Sequence, residues 1–431
     1  MRHAKKRLIV ASLLATSLVA ALAGCANGGS GGSDGTNGEL TIWTHNGGNT
    51  AELGAVQAIV DGYNSSQDTN TVKLQAFPQA SYNDSVVAAA ASGKLPCIVD
   101  IDGPNVPNWA WAQYLTPLDL SVDLGENLPS TLGIWNDEIY SVGYYDVALA
   151  MFARKSVLAN AGIRVATIDE PWTQDEFDSA LKTLKADGTW TNPLDIGTGD
   201  VGEWYPYAFS PLLQSFGGDL VDRKDFQSAE GVLNGPEALE WAEWMQSLAA
   251  NDYIATKSGA DSTLDLQNNV TAIQYGGSWA ATSHAEALGD DLAVMPSVDL
   301  GEGSKIGGGS WQWGVTTGCA DSAAAMDYLS YSLSPENIAA VSVATATIPA
   351  TDAAAALVPG FEEGGALAIF REFSAKSAVL RPETPAYPFI ATEFTQATQD
   401  IINGGDPQGT LDAAVTAIDA NIKSNGGYTQ K

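Results

Sequence analysis

The chain has 431 residues, of which 45% are hydrophobic, and its 51 acidic and 20 basic side chains give a formal charge of −31. A chain of this length exceeds a single core of ordinary size, so two lobes are expected. The acidic balance argues against nucleic acid or anionic lipid headgroups as partners, because their phosphates would be repelled. Three cysteines are too few for a disulfide-rich scaffold.

The first residues have the pattern of an export signal. A basic opening leads into an apolar block over 8–23, which is shorter than the roughly 20 residues of a membrane-spanning helix. Leu22-Ala23-Gly24-Cys25 then resembles the bacterial lipoprotein box, in which the cysteine thiol receives a diacylglycerol. We expect a lipoprotein signal peptide over 1–24, lipid on Cys25, a flexible Gly/Ser tether over 25–38, and a mature protein anchored at the extracellular face of the cell membrane. The alternative is a buried or chance cysteine.

Cleavage at this site changes the charge and limits the function. It removes four of the 20 basic residues and none of the 51 acidic ones, which moves the formal charge from −31 to −35. Outside the cytoplasm there is no pool of ATP or NAD. The mature protein should therefore capture, cut or modify an extracellular molecule, or act in adhesion.

The first part of the mature chain alternates strand and helix patterns. Apolar periodicity predicts strands over 39–44, 72–77 and 97–101, separated by helices over 51–63 and 82–91. This order predicts an α/β lobe with a right-handed parallel sheet. His45-Asn46 and Asp102–Asn105 follow the first and third strands, and ligands bind at the carboxyl ends of strands in such sheets.

A second α/β pattern occupies residues 160–298. Within the segment over 139–155, GYYDVALAMFARK (143–155) has the apolar run of a strand that passes from one lobe to the other. The elements predicted beyond it are helices over 173–186, 207–216 and 236–250 and strands over 271–275 and 292–295. Glycines 307–309 then form a flexible joint before a strand over 311–317, and the rest is chiefly helical, ending in helices over 389–403 and 407–423.

Signals for catalysis are weak. The mature chain has only His45 and His284, so a metal site built on imidazole is improbable. The G-x-S-x-G match over 28–32 falls in the tether, and the dinucleotide-like pattern over 197–202 lies outside the first βαβ unit. Paired carboxylates for glycoside hydrolysis stay open, because 51 acids offer many pairs. We predict no catalytic residue, no metal and no cofactor.

Aromatic residues give the strongest functional signal. The 12 tryptophans and 14 tyrosines exceed the needs of a core, and several lie beside glycine or proline. A sugar ring has one apolar face and a rim of hydroxyl groups, so its binding requires flat aromatic faces together with acids and amides. Trp204-Tyr205-Pro206-Tyr207, Trp279 and Trp311 supply such faces, although core packing is the alternative for each of them alone.

The order of segments over 39–425 resembles the bacterial extracellular solute-binding proteins that feed carbohydrate ABC importers. The resemblance rests on ELTIWTHN, ASGKLPCIVDID with Cys97 where the family usually has Asp, PYAFSPLLQSFGGDLVD and YGGSWA. It implies a two-lobed α/β periplasmic-binding-protein fold with a hinge and an interlobe ligand cleft. The implied N-terminal lobe is 39–147 plus 307–350, and the implied C-terminal lobe is 148–306 plus 351–431. Within the family, the sequence is most similar to bifidobacterial lipoproteins that bind raffinose-family α-1,6-galactosides.

The resemblance also implies a set of ligand-binding residues. Asp146 matches an acid that faces the sugar, while Tyr207 and Trp279 match stacking residues. The full set is His45, Asn46, Tyr82, Asp102, Asn105, Asp146, Tyr207, Trp279, Trp311, Arg381 and Tyr387. The family fold places the third strand antiparallel to the strand that ends near Gly318, which implies a disulfide between Cys97 and Cys319. Two unpaired buried thiols are the alternative.

The mechanism implied is binding without covalent chemistry. A sugar that touches both lobes shifts the protein from an open to a closed state, and a permease then takes the sugar from a monomeric receptor. An exported glycoside hydrolase is the alternative, with Asp146 as a catalytic acid beside a second carboxylate. A peptide receptor is less favoured, since it calls for an arginine clamp and basic residues are scarce.

Overall fold

A computed structural model describes residues 38–259, 262–362 and 364–429. The predicted signal peptide, the lipid attachment site at Cys25 and all of the predicted tether except Gly38 lie outside the described residues. Within the described ranges, no helix combines the length and apolarity needed to cross a membrane.

Short strands and longer helices alternate along the chain. The strands are β1 (Glu39–Thr44), β2 (Thr71–Ala76), β3 (Ile98–Asp102), β4 (Leu115–Thr116), β5 (Leu132–Trp135), β6 (Glu138–Val142), β7 (Tyr145–Asp146), β8 (Leu149–Arg154), β9 (Leu194–Asp195), β10 (Ile273–Gly277), β11 (Leu292–Met295), β12 (Ile306–Gly307), β13 (Trp311–Thr316), β14 (Ile348–Pro349) and β15 (Ala378–Val379). The helices are α1 (Thr50–Ser66), α2 (Gln79–Ala91), α3 (Val106–Trp111), α4 (Lys155–Asn160), α5 (Gln174–Asp187), α6 (Trp204–Phe216), α7 (Pro236–Ala250), α8 (Ser262–Gln267), α9 (Ala281–Leu288), α10 (Ser322–Ser332), α11 (Pro335–Thr345), α12 (Asp352–Ala355), α13 (Ala368–Ser377), α14 (Tyr387–Ile402) and α15 (Pro407–Ser424).

The first sheet has the order β2-β1-β3-β13-β6-β5, with β4 also paired to β13. Strand β1 is parallel to both β2 and β3, as the strand-helix alternation predicts, because each crossover helix returns the chain to the same end of the sheet. Strand β13 runs antiparallel to β3 and places Trp311 opposite Asp102. Helix α1 buries Val56, Ile59, Val60 and Tyr63, the apolar positions whose spacing predicted it.

The second sheet has the order β11-β8-β10-β9, and helices α4, α8, α9 and α13 contact its strands. Strand β8 is central and antiparallel to both β10 and β11, and all but its last residue is buried. Helix α5 begins with a capping box between Thr173 and Glu176, a helix start signal that is recognisable in the sequence. The two large sheets thus draw their strands from 39–142 with 311–316, and from 149–295. The exact lobe boundaries stay a prediction.

The chain passes between the sheets at two places. The run over 143–155 is not one strand, since it divides into β7 and β8. Strand β7 pairs with β14, and β12 pairs with β15, so each passage is held by a short two-stranded sheet. Cys97, just before β3, and Cys319, after β13, form a disulfide with Cα atoms 4.1 Å apart, which is the pairing that the resemblance implied.

Candidate ligand-binding site

A buried polar network follows strand β1. His45 is 6% exposed, its Nδ1 lies 2.5 Å from Oδ2 of Asp100, and its ring stacks on Trp311 with centroids 3.6 Å apart. Burial alone would lower the pKa of His45, but the carboxylate of Asp100, with a smaller contribution from Glu52, raises it above 6.5. The neighbouring acids therefore favour the protonated form of the imidazole, and the indole of Trp311 covers one face of the ring.

Glu52 and Tyr145 extend this network from helix α1 to strand β7. The Tyr145 hydroxyl donates to Oε1 of Glu52 at 2.7 Å, and Oε2 of Glu52 lies 4.0 Å from Nε2 of His45. Burial raises the pKa of Glu52, and His45 opposes that rise. Across the described ranges, no group of three or more His, Cys, Asp or Glu side chains has an arrangement that could hold a metal ion. The network thus orders side chains at the end of β1.

Two predicted ligand residues are engaged in this network. The Tyr82 hydroxyl donates to the Trp43 carbonyl at 3.1 Å and accepts from the Asp100 backbone N–H at 2.9 Å, and its side chain is fully buried. The amide of Asn46 donates to Oγ1 of Thr44 at 2.8 Å, while its Oδ1 has no partner. Tyr82 therefore bonds the backbones of β1 and β3 beside His45. The side-chain oxygen of Asn46 is left as a hydrogen-bond acceptor.

A buried ion cluster joins the end of β3 to the segment before α14. Arg381 donates through both terminal nitrogens to the two oxygens of Asp102, each at 2.6 Å, and through Nη1 to Oε2 of Glu203 at 3.0 Å. Tyr387 donates its hydroxyl to the same Oε2 at 2.5 Å. The side chains of Arg381 and Asp102 are 4% and 5% exposed, whereas that of Glu203 is 20% exposed. Glu203 is thus the cluster's most accessible member.

Opposing effects act on the Glu203 carboxyl. Burial and the neighbouring charge of Asp102 raise its pKa, while Arg381, Tyr387 and Asn105 lower it, and the net change is upward. Asn105 itself is 3% exposed and follows β3, close to the same carboxylate. The predicted residues Asp102, Asn105, Arg381 and Tyr387 therefore lie together around Glu203.

Three aromatic rings form a surface next to this cluster. Tyr207 lies 6.1 Å from Trp204 and 6.4 Å from Trp279 between ring centroids, and the Arg381 guanidinium carbon is 5.2 Å from the centre of the Tyr207 ring. Trp204 is fixed by its indole N–H, which donates to the Ile196 carbonyl at 2.9 Å. Trp279 remains 43% exposed, and the Tyr207 hydroxyl is buried without a partner. We name Trp204, Tyr207 and Trp279 the aromatic surface.

Glycines make room for these rings. A Cβ atom on Gly277 would collide with the indole of Trp279, and one on Gly307 would collide with the carbonyl oxygen and ring of Tyr207. These contacts give the physical reason for glycine at the start of the GSWA turn and at the second passage between the sheets.

Asp146 lies at the first passage and has both oxygens engaged. Its Oδ1 accepts from the N–H groups of Val147 at 2.8 Å and Gly309 at 2.9 Å, and its Oδ2 accepts from the Ser374 hydroxyl at 2.7 Å. Because Gly309 belongs to the second passage and Ser374 to α13, one carboxylate ties three segments together. Its predicted contact with a sugar is not tested by these bonds, but they define a second role.

A small cavity lies between the end of β3 and the segment that contains Arg381. It is bordered by Gly103, Gly309, Gln312 and Arg381 and has a volume of about 20 Å³. This holds roughly one water molecule, whereas sites for small organic ligands occupy about 300–1,000 Å³. The cavity is therefore too small to hold a small organic ligand.

Three acidic residues of the site were not predicted from the sequence. Glu203 and the network acids Glu52 and Asp100 are absent from the predicted set, although Glu203 directly precedes the aromatic run over 204–207. An acid at the start of an aromatic helix is the signal that could have found it. Glu52 and Asp100 carry no comparable signal, since isolated acids are common in a chain with 51 of them.

The fold and the site can now be compared with known proteins. Residues 58–368 match the family described as bacterial extracellular solute-binding protein, and this match covers more than half of the chain. The chain belongs to that family. A comparison with curated protein sequences finds no significant match.

Solved structures of sugar receptors share the fold. The GacH receptor of Streptomyces glaucescens, solved unliganded and with acarbose, is 22% identical over 91% of this chain and 100% of that one, with a TM-score of 0.76. A cyclic α-maltosyl-1,6-maltose binding protein from Arthrobacter globiformis is 26% identical over 90% and 99%, with a TM-score of 0.71. An ABC transporter solute-binding protein from Thermotoga lettingae, bound to α-D-tagatose, is 20% identical over 89% and 99%, with a TM-score of 0.72. The two-lobed fold that the resemblance implied is thereby confirmed.

Proposed function

We propose that this protein binds oligosaccharides between its two sheets and delivers them to an ABC importer. The single observation that carries the proposal is the aromatic surface, where Trp279 keeps 43% of its area exposed although a tryptophan ring is normally buried. An exposed indole face such as that of Trp279 can stack on the apolar face of a sugar ring. The adjacent polar groups, among them Glu203 and the hydroxyl of Tyr207, can bond the rim of hydroxyls.

The family and the similar structures support this function. Solute-binding proteins capture a ligand outside the cell, and the GacH receptor and the Arthrobacter protein bind acarbose and a cyclic maltosyl-maltose. In our proposal the ligand-binding residues are the eleven predicted ones together with Glu203 and Trp204. Binding draws 39–147 plus 307–350 toward 148–306 plus 351–431 by bending where the chain crosses between them, because a sugar gains contacts to both only when they close.

Calorimetry followed by analysis of the sugar tests the function. Mature protein is titrated with a panel of neutral oligosaccharides that includes raffinose, maltotriose and mannobiose, and the bound sugar is then recovered and chromatographed. We expect heat of binding for at least one member and recovery of intact sugar. Absence of binding to every glycan overturns the proposal, and recovery of shortened sugar shows a glycoside hydrolase instead.

Within this function we propose raffinose-family α-1,6-galactosides as ligands, a lipid on Cys25, and a monomer at the extracellular face of the membrane. Preferential binding of raffinose over maltotriose supports the first point. Incorporation of labelled fatty acid into the wild type but not into Cys25→Ser supports the second. Light scattering of the soluble mature chain measures the third.

A further inference from the structure

The only cation in the buried ion cluster has little bonding capacity left for a ligand. Nη1 and Nη2 of Arg381 are both within 2.6 Å of Asp102 oxygens, and Nη1 also donates to Glu203. Among the guanidinium nitrogens, only Nε is buried without a partner. A ligand carboxylate is normally held by two parallel guanidinium hydrogen bonds, and here a protein carboxylate already occupies that position.

The cluster also carries an excess of negative charge. Asp102 and Glu203 contribute two negative charges against the single positive charge of Arg381 when all three are ionised. Asp146 adds to the negative potential, because it and Asp102 both raise the pKa of the Tyr207 phenol. Within this cluster, a ligand anion therefore meets a net negative charge.

Glu203 places the negative charge of the cluster next to the aromatic surface. It directly precedes Trp204, and its side chain is 20% exposed whereas Arg381 and Asp102 are nearly enclosed. The hydrogen bonds from Arg381 and Tyr387 are both accepted by Oε2, and Asn105 also lies close to this carboxylate. A ligand hydroxyl can donate to such a carboxylate, while a ligand carboxylate cannot.

We propose that Glu203 is a specificity-determining residue, through which this site accepts uncharged glycans and rejects glycans that carry a carboxylate. The inference rests on the proposed function, since it concerns selection among sugars at the same site. An arginine beside a sugar site would ordinarily suggest an acidic ligand, and here the bonds of Arg381 to Asp102 and Glu203 reverse that expectation.

A pair of ligands that differ only in charge tests the proposal. A neutral glycan that binds the protein is converted at one terminal sugar to a carboxylate and, separately, to the carboxamide of the same shape, and the modification is repeated at the other end. Affinities are measured by calorimetry at about pH 8, well above the ordinary pKa of a glutamate side chain. We expect the carboxylate to bind at least about 30-fold more weakly than the carboxamide at the end that lies near Glu203.

Two variants locate the effect. In Glu203→Gln the ratio of carboxamide to carboxylate affinity should fall at least about tenfold, because one charge is removed at constant side-chain size. Glu240→Gln is the control, since Glu240 is exposed on α7 and the substitution changes the total charge by the same amount. It should leave the ratio at the wild-type value. Thermal melting shows whether each variant is folded.

The outcomes separate this inference from the proposed function. The inference is overturned if the carboxylate and the carboxamide bind with equal affinity at both ends of the glycan. It is also overturned if both modifications weaken binding equally while the unmodified neutral glycan still binds. An unchanged ratio in Glu203→Gln also overturns it. If no neutral glycan binds at all, the proposed function itself fails and the inference fails with it.

Discussion

Arg381 and Asp102 form a two-fold hydrogen-bonded ion pair, with both N–O distances at 2.6 Å and both side chains nearly enclosed. The two residues are far apart in sequence, and the pair joins the end of β3 in the first sheet to the segment that leads into α14. Helix α14 packs on α6 and α7 beside the second sheet. The pair therefore links the two halves of the molecule directly at the proposed site.

Replacing Arg381 by methionine should be strongly destabilising. The variant leaves the carboxylates of Asp102 and Glu203 buried without their cation, and breaking a buried ion pair from one side costs about 3–5 kcal/mol. Urea denaturation measures the free energy of unfolding. Glu39→Gln removes the exposed Glu39–Lys73 ion pair and should cost less than about 1 kcal/mol. Similar losses in the two variants would contradict the expectation.

Trp279→Ala should separate binding from stability. Because the ring is 43% exposed, its loss should weaken glycan binding by more than about 1 kcal/mol. It should lower the melting temperature less than Trp241→Ala does. Trp241→Ala is the matched control, since Trp241 is fully buried and stacks on Phe394. That change should cost about 3–5 kcal/mol of stability. Unchanged affinity in Trp279→Ala would remove the ring from the site.

Asp146→Ala should destabilise the passages between the sheets. It removes the acceptor of two backbone N–H groups and of the Ser374 hydroxyl, and buried donors left unpaired cost about 1–3 kcal/mol each before any relaxation. Ser374→Ala removes one of these bonds and should have the smaller effect on urea stability. A loss of sugar affinity in Asp146→Ala without loss of stability would instead favour direct sugar contact.

His45 should make stability depend on pH in a defined direction. The groups that face its ring are Asp100 and Asp102 from β3, Glu52 from α1 and Tyr82 from α2. Because its pKa is above 6.5 in the folded state, the stabilisation is fully present below 6.5 and is lost as the pH rises through the folded value. The stability difference between wild type and His45→Gln should therefore be larger at acidic than at alkaline pH, as measured by urea denaturation. A difference that grows with pH would contradict this assignment.

The disulfide can be tested by counting thiols. Unreduced, unfolded mature protein should show no alkylation at Cys97 or Cys319, while prior reduction should expose both. Cys97→Ser should lower the free energy of unfolding by roughly 2–5 kcal/mol, because the bond restricts the unfolded chain across a long loop. Alkylation of both residues without reduction would show free thiols in the protein as isolated.

Local sequence determined most of the secondary structure. Strands β1 and β11 and helix α7 have the predicted bounds, because apolar periodicity depends on which face of an element is buried. The start of α5 is fixed by bonds between Thr173 and Glu176, which are three residues apart. Such features require no knowledge of distant segments. The single strand predicted over 143–155 was wrong because the passage between the sheets, a tertiary feature, divides it into β7 and β8.

Tertiary structure decided which of the predicted side chains remain available to a ligand. Tyr205 and Trp279 are both aromatic residues near glycine or proline, yet Tyr205 is buried with its hydroxyl on the Thr198 carbonyl while Trp279 is exposed. The sequence by itself determined that acids, an arginine and aromatic rings were present. That Glu203 meets Arg381 and Asp102 depends on long-range packing, because exposure and ion pairing are set by residues that no local pattern brings together.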